Sequence, residues 1–194
     1  MELLEILAHG KSTVCKEILK ISNSKIVDAD KIVKSMDFPG SKYIEEIEKL
    51  FGRKVINSDK TLNRQALGNI IYNDFEKKLE LDKITFKHVV KKMNQDIEIL
   101  SKENLDFILI DAPLLFEAEI DKKCDFIISV LAKEKLKIDR ICKRDNLSID
   151  VAKSRLSVQK KDEFFIQNSD FIIENNGNIE EIKKDVERIL KSIK

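Results

Sequence analysis

Four short, largely apolar runs constrain this chain more than any other feature: Lys25-Ile26-Val27, Phe107-Ile108-Leu109-Ile110, Phe126-Ile127-Ile128-Ser129-Val130 and Phe171-Ile172-Ile173. Each is strand-length, and none alternates apolar with polar residues. A strand with one wet face must alternate, so unbroken runs indicate central strands of a parallel sheet covered on both faces. Met1 to Leu7 would supply the first strand, although Glu2 and Glu5 interrupt its pattern. Helical signals fill the gaps. Tyr43, Ile44, Ile47, Leu50 and Phe51 recur at helical spacing, and Gly52 follows as a cap. Asn178 with Glu181 three residues on opens a last helix that carries Ile179, Ile182, Val186, Ile189 and Ile193 along one face. Residues from about 62 to 105 read as helical and highly charged without a strand, an insertion standing beside the sheet. The alternating order gives the α/β class.

With 194 residues the chain can build one such core with appendages, and is too short for two ordinary domains. Thirty-six basic residues against thirty-five acidic ones leave a net charge of +1, so no global charge favours nucleic acid or a membrane surface. Cys15, Cys124 and Cys142 stand singly, without a C-x-x-C pair for zinc or redox work. They read as buried small hydrophobes in a reducing compartment. No stretch has the length of a membrane span and the start lacks signal-peptide character, so a cytoplasmic protein is expected. There is no internal repeat and no low-complexity linker.

In an open parallel sheet the ligand crevice lies beyond the carboxyl ends of the strands. His9-Gly10-Lys11-Ser12-Thr13 matches the second half of the phosphate-binding loop G-x-x-x-x-G-K-[ST], while Glu5 stands where the first glycine belongs. A side chain there, and a negative one, opposes a turn made for anions. Asp28-Ala29-Asp30 follows the second strand, where one carboxylate can serve as a general base or both can merely cap the next helix. Asp111 closes the Phe107 run at the position where phosphate-loop enzymes hold magnesium. Glu174-Asn175-Asn176-Gly177 follows the last strand, either beside a nucleotide base or as a simple turn. Arg140, Lys143 and Arg144, then Arg155, Lys160 and Lys161, form two basic clusters that suit a lid over a transferred phosphoryl group, and equally suit a solvated helix face. Arg64 reads the same way.

Taken together, the blocks resemble the dephospho-coenzyme A kinase family. They are Gly10-Lys11-Ser12-Thr13, Val27-Asp28-Ala29-Asp30, Leu62-Asn63-Arg64 with Leu67-Gly68, Asp111-Ala112-Pro113-Leu114-Leu115-Phe116-Glu117, Arg140 with Lys143-Arg144-Asp145, Arg155 through Gln159, and Ile173 through Gly177. The block after Asp111 is the most diagnostic. The resemblance implies a three-layer P-loop kinase fold, with a five-stranded parallel sheet flanked by helices. Its core would be 1–60, 106–140 and 166–194, with a helical acceptor-binding insertion at 61–105 and a lid at 141–165. It implies ATP and Mg2+, with dephospho-coenzyme A as acceptor, in a monomer or weak homo-oligomer without nucleic-acid or membrane partners. Lys11 and Arg140 would contact the ATP phosphates, joined by Gly10, Thr13 and Arg144, with Asn175 and Gly177 flanking the adenine. Ser12 and Asp111 would hold the metal. Asp30 would accept or orient the 3′-hydroxyl proton, and Arg64, Leu115, Phe116 and Glu117 would hold the acceptor.

Two departures accompany the matches. A His-Pro pair usual in the family's insertion is replaced by Phe86-Lys87, and His88 reads as a lone exposed histidine rather than a substitute. Where the family has Thr-Gly-Gly-x-Gly-Ser-Gly-Lys, this chain has Leu4-Glu5-Ile6-Leu7-Ala8-His9-Gly10-Lys11, keeping the last glycine alone. Three readings fit that change: an altered start joined to an intact kinase, a homologue that binds coenzyme A precursors without ATP, or a kinase with an unorthodox loop. Another small-molecule or nucleotide kinase on the same scaffold would share Lys11, Asp111 and the lid arginines, but not the Pro113 to Glu117 block.

Overall fold

A computed structural model describes residues 2–8 by their backbone, and residues 10–112, 116, 119–157 and 159–193 with their side chains. The chain divides into two compact units, residues 1–27 with 100–194, and residues 28–99.

The first unit carries the sheet. Strand β1 (Glu2–Ala8) leads into α1 (Lys11–Ile21), followed by β2 (Ser24–Asp28). After the second unit come β3 (Phe107–Asp111), β4 (Phe126–Leu131), α6 (Glu134–Asp145), α7 (Ile149–Ser157), α8 (Asp162–Gln167), β5 (Phe171–Glu174) and α9 (Ile179–Ser192). The sheet order is β2-β3-β1-β4-β5, and β1 runs parallel to both β3 and β4 while β4 runs parallel to β5.

The reason for the unbroken apolar runs is visible in β3. Phe107 and Leu109 face a core that also contains Ile128 and Val130 of β4, Ile173 of β5, Val14, Cys15 and Ile18 of α1, and Ile182, Val186 and Ile189 of α9. Ile108 and Ile110 point the other way and are equally buried, each 0% exposed. Both faces of the strand are therefore dry, and neither can carry polar residues. Asn178 opens α9 by accepting from the Glu180 backbone N–H at 3.1 Å, a cap one residue nearer than the Glu181 spacing suggests. The α6–α7 hairpin closes over Ile138, Ile141 and Ala152, with Asn146 in the left-handed region at φ 52° between the helices.

The second unit is helical. It holds α2 (Ala29–Met36), α3 (Lys42–Phe51), α4 (Arg64–Asn73) and α5 (Phe75–Leu100), the last extending one residue past the unit's boundary. Ser41 caps α3 through the Ile44 N–H at 3.2 Å. Gly52 ends it at φ 83°, with its N–H on the Glu48 carbonyl. Tyr43, Ile44, Ile47 and Phe51 pack with Val55, Ile56, Leu62 and Leu67, and with Leu81 and Ile84 of α5. This shared core draws residues 28–60 into the helical unit, whereas the sequence reading places them with the sheet.

Two smaller expectations change. Cys15 is buried, but Cys124 and Cys142 are only half-buried. His88 is not exposed: its side chain is 15% accessible, stands edge-on to Tyr43, and places Nε2 3.3 Å from a Glu46 carboxylate oxygen. Glu46 is held below the usual carboxylate range, first by its hydrogen bond from Lys87 and then by His88.

Candidate active site

The strand ends of the first unit gather the polar groups. Strand β1 stays paired with β4 as far as Ala8, so only residues 9 and 10 separate it from α1. Glu5, at the expected first glycine of a phosphate loop, pairs with Ile110 of β3 and Ile127 of β4. That position is a strand and not a turn. Gly10 then adopts φ 92° and ψ 16°, the left-handed conformation that glycine takes at least cost, and its carbonyl accepts from the Thr13 N–H at 3.0 Å.

Lys11, the first residue of α1, puts Nζ 2.7 Å from Asp111 Oδ1 at the end of β3. Ser12 is exposed beside it. The amino end of α1 adds free backbone N–H groups and a partial positive charge, which favour an anion. Asn175 follows β5 and is anchored by its N–H on the Leu131 carbonyl at 2.7 Å. Arg140 on α6 donates through one nitrogen, Nη2, to both the backbone and the side-chain oxygens of Asn175, at 3.0 and 2.9 Å. Its other nitrogen, Nη1, is buried without a hydrogen-bond partner among the described residues. A Cβ placed on Gly10 would lie 2.1 Å from Asn175 Nδ2 and 3.5 Å from Arg140 Nη1, so these three residues converge on one spot. Gly177, at φ 105°, turns the chain from β5 toward α9.

The other basic groups are tied elsewhere. Arg144 binds both oxygens of Asp145, at 2.8 and 2.9 Å, and Arg155 reaches the same carboxylate at 2.7 Å. The Arg144 hydrogen bonds hold Asp145 below the usual carboxylate range, and Asp145 raises Arg144 in turn. Nothing in the sequence spacing marked Asp145 as the shared partner of two arginines. Phe116 stands edge-on to Phe164, with centroids 5.0 Å apart, and Lys160 Nζ lies 4.2 Å from the centroid of Phe164 and 5.0 Å from that of Phe116. Leu115 and Glu117, two residues expected to hold an acceptor, lie outside the described residues, as do Pro113 and Leu114.

In the second unit Asp28 takes the capping role that both sequence readings allow one of the two carboxylates. It caps α2 by accepting from the Lys31 N–H at 2.9 Å. Asp30, in the first helical turn, is exposed. Arg64 pairs with Asp37. The structure thus brings together Gly10, Lys11, Ser12, Thr13, Asp111, Arg140 and Asn175 in the first unit, and holds Arg144 apart on Asp145.

The strand ends of a parallel sheet thus join a lysine–aspartate pair, a half-buried arginine and the amino end of a helix, on an α/β fold. The dephospho-CoA kinase family model matches residues 5–181. A dephospho-CoA kinase of Bacillus cereus is 33% identical over 164 residues, covering 84% of this chain and 82% of the relative. One of Staphylococcus aureus is 35% identical over 159 residues, covering 80% and 76%. Among solved structures, the dephospho-CoA kinase of Campylobacter jejuni superposes with a TM-score of 0.72 at 28% identity, covering 98% of this chain and 96% of that one. A Thermus thermophilus protein superposes at 0.80 over 100% and 98% of the two chains, and its 22% identity speaks to the fold alone. The chain belongs to the dephospho-CoA kinase family.

Proposed function

We propose that this chain transfers the γ-phosphoryl group of ATP to the ribose 3′-hydroxyl of dephospho-coenzyme A, the last step of coenzyme A synthesis. The observation that carries the reading is the Lys11–Asp111 pair at the carboxyl ends of β1 and β3. In the reaction a bond forms between the 3′-oxygen and the γ-phosphorus, the bond from that phosphorus to the β–γ bridging oxygen breaks with its electron pair leaving on ADP, and the 3′-hydroxyl proton passes to solvent beside Asp30. Charge spreads over the transferred group, so catalysis is mostly positioning and electrostatics. Lys11 supplies a point charge toward the β- and γ-phosphates. Arg140 Nη1 supplies a second donor beside Gly10, with Thr13 and the α1 backbone completing the cradle.

Asp111 and the Ser12 hydroxyl are hard oxygen donors, the type that fits Mg2+, an ion that keeps waters and shares phosphate oxygens. When bound, the ion would neutralise phosphate charge. Asp30 is the group we assign to the acceptor hydroxyl. As an exposed carboxylate it is free to orient that hydroxyl. Arg64, Phe116, Leu115 and Glu117 are assigned to the acceptor, Arg144 to the phosphates from the lid at 141–165, and Gly177 to the turn beside the adenine. This completes the reading of the chain as a P-loop kinase with a helical acceptor insertion, working in the cytoplasm.

A second reading has its own observation. Because β1 remains paired through Ala8, few backbone N–H groups are available to wrap phosphates, which fits a homologue that binds coenzyme A precursors and has lost ATP. Calorimetric titration with ATP and, separately, with dephospho-coenzyme A divides the two. The kinase binds both, and the impaired homologue binds only the second.

A further inference from the structure

We infer that Asn175 is a positioning residue, holding Arg140 so that one guanidinium nitrogen is presented to an anion at the start of α1. The inference deepens the phosphoryl-transfer reading and rests on it for the identity of the anion.

Arg140 has many rotamers, and among the described residues Asn175 holds it in the one observed: both oxygens of Asn175 accept from Nη2. Asn175 is itself fixed by the Leu131 carbonyl. Nη1 is left buried and without a hydrogen bond among the described residues. An unmet donor on a cation is costly, and an oxyanion beside Gly10 would satisfy it. Gly10 is part of the same device. Asn175 Nδ2 occupies the place of the missing Cβ, so any other residue there would displace the asparagine and release the arginine.

The same contacts argue against a base-binding role for Asn175. It is 4% exposed, its Oδ1 is committed to Arg140, and its Nδ2 is pressed against Gly10, which leaves little amide surface for an adenine. The family resemblance assigns it to the adenine, while its position after a strand end leaves a base contact and a simple turn both open. The structure gives that polar surface to the arginine instead.

The test compares wild type, Asn175→Ala, Arg140→Ala and the double variant in the full-length chain. ATP and GTP affinities are measured by calorimetry, and the Arg140 guanidinium is followed by 15N NMR. Asn175→Ala should weaken ATP binding by about ten-fold or more, the worth of a hydrogen bond to a charged group. The double variant should bind no more weakly than Arg140→Ala alone, and the preference for ATP over GTP should be unchanged. Hindered rotation of the Arg140 Nη pair should be lost in Asn175→Ala and kept in Asn175→Asp, which retains the accepting oxygen. Additive losses in the double variant, or a collapse of the ATP preference, would overturn the inference. If wild type binds no ATP, the NMR result decides alone. Arginine ordering that depends on Asn175 then upholds the positioning while the phosphoryl-transfer reading fails, and ordering that does not depend on it refutes the positioning.

Discussion

Lys11 Nζ lies 2.7 Å from Asp111 Oδ1, joining the first residue of α1 to the last of β3. Both side chains are largely shielded, 16% and 24% exposed, so this is not a screened surface ion pair. Its value lies in placement, because it holds a cation at the strand ends before any nucleotide arrives. Lys11→Met should cost about 10²–10³ in turnover, the order seen when one charge-stabilising donor is removed. The variant also leaves the largely buried Asp111 carboxylate without its lysine, so the melting temperature should fall, and steady-state kinetics alongside thermal unfolding check both halves.

Asp28 and Asp30 stand two residues apart and should fail in different ways. Asp28 caps α2, so Asp28→Ala should remove about 0.5–2 kcal/mol of stability, read by urea unfolding. Asp30 makes no such bond among the described residues, and Asp30→Asn should leave unfolding unchanged while lowering the rate with dephospho-coenzyme A. A kinetic loss in both variants with no stability change in either would contradict the division.

Asp145 links charge to pH. Its carboxyl is depressed, first by the Arg144 hydrogen bond and then by the charges of Arg144 and Arg155. A depressed acid stabilises the folded state above its unfolded value of about 3.9, and that contribution fades as pH falls through the lower folded value. Asp145→Asn should therefore melt lower than wild type at neutral pH, and the gap should close on acidification below about pH 4. Melting curves across that range, at low salt where exposed pairs are least screened, provide the check.

Strands β3 and β4 were legible because burial on both faces demands unbroken apolar runs, and Ile108 and Ile110 show the demand being met, whereas β2 and β5, expected as central strands, stand at the sheet edges and are only partly buried. Caps were legible too, since Gly52 and Asn178 act through their nearest neighbours. What the sequence could not show was pairing at a distance. Arg140 and Asn175 are 35 residues apart, and no spacing rule joins them. Spacing alone does not say which of Asp28 and Asp30 caps the helix, and the Lys31 hydrogen bond gives that role to Asp28. His88 seemed exposed because Tyr43, which covers it, comes from another helix. The grouping of residues 28–60 with the helical unit likewise depends on a core that α3 shares with α4 and α5.

The most direct measurement incubates the purified chain with ATP, Mg2+ and dephospho-coenzyme A and follows coenzyme A by mass spectrometry, with Lys11→Met as the control. The kinase account predicts ADP and coenzyme A formed in equal amounts by wild type and close to none by the variant. Binding of dephospho-coenzyme A with no ATP binding and no product would contradict it and leave the precursor-binding homologue in its place.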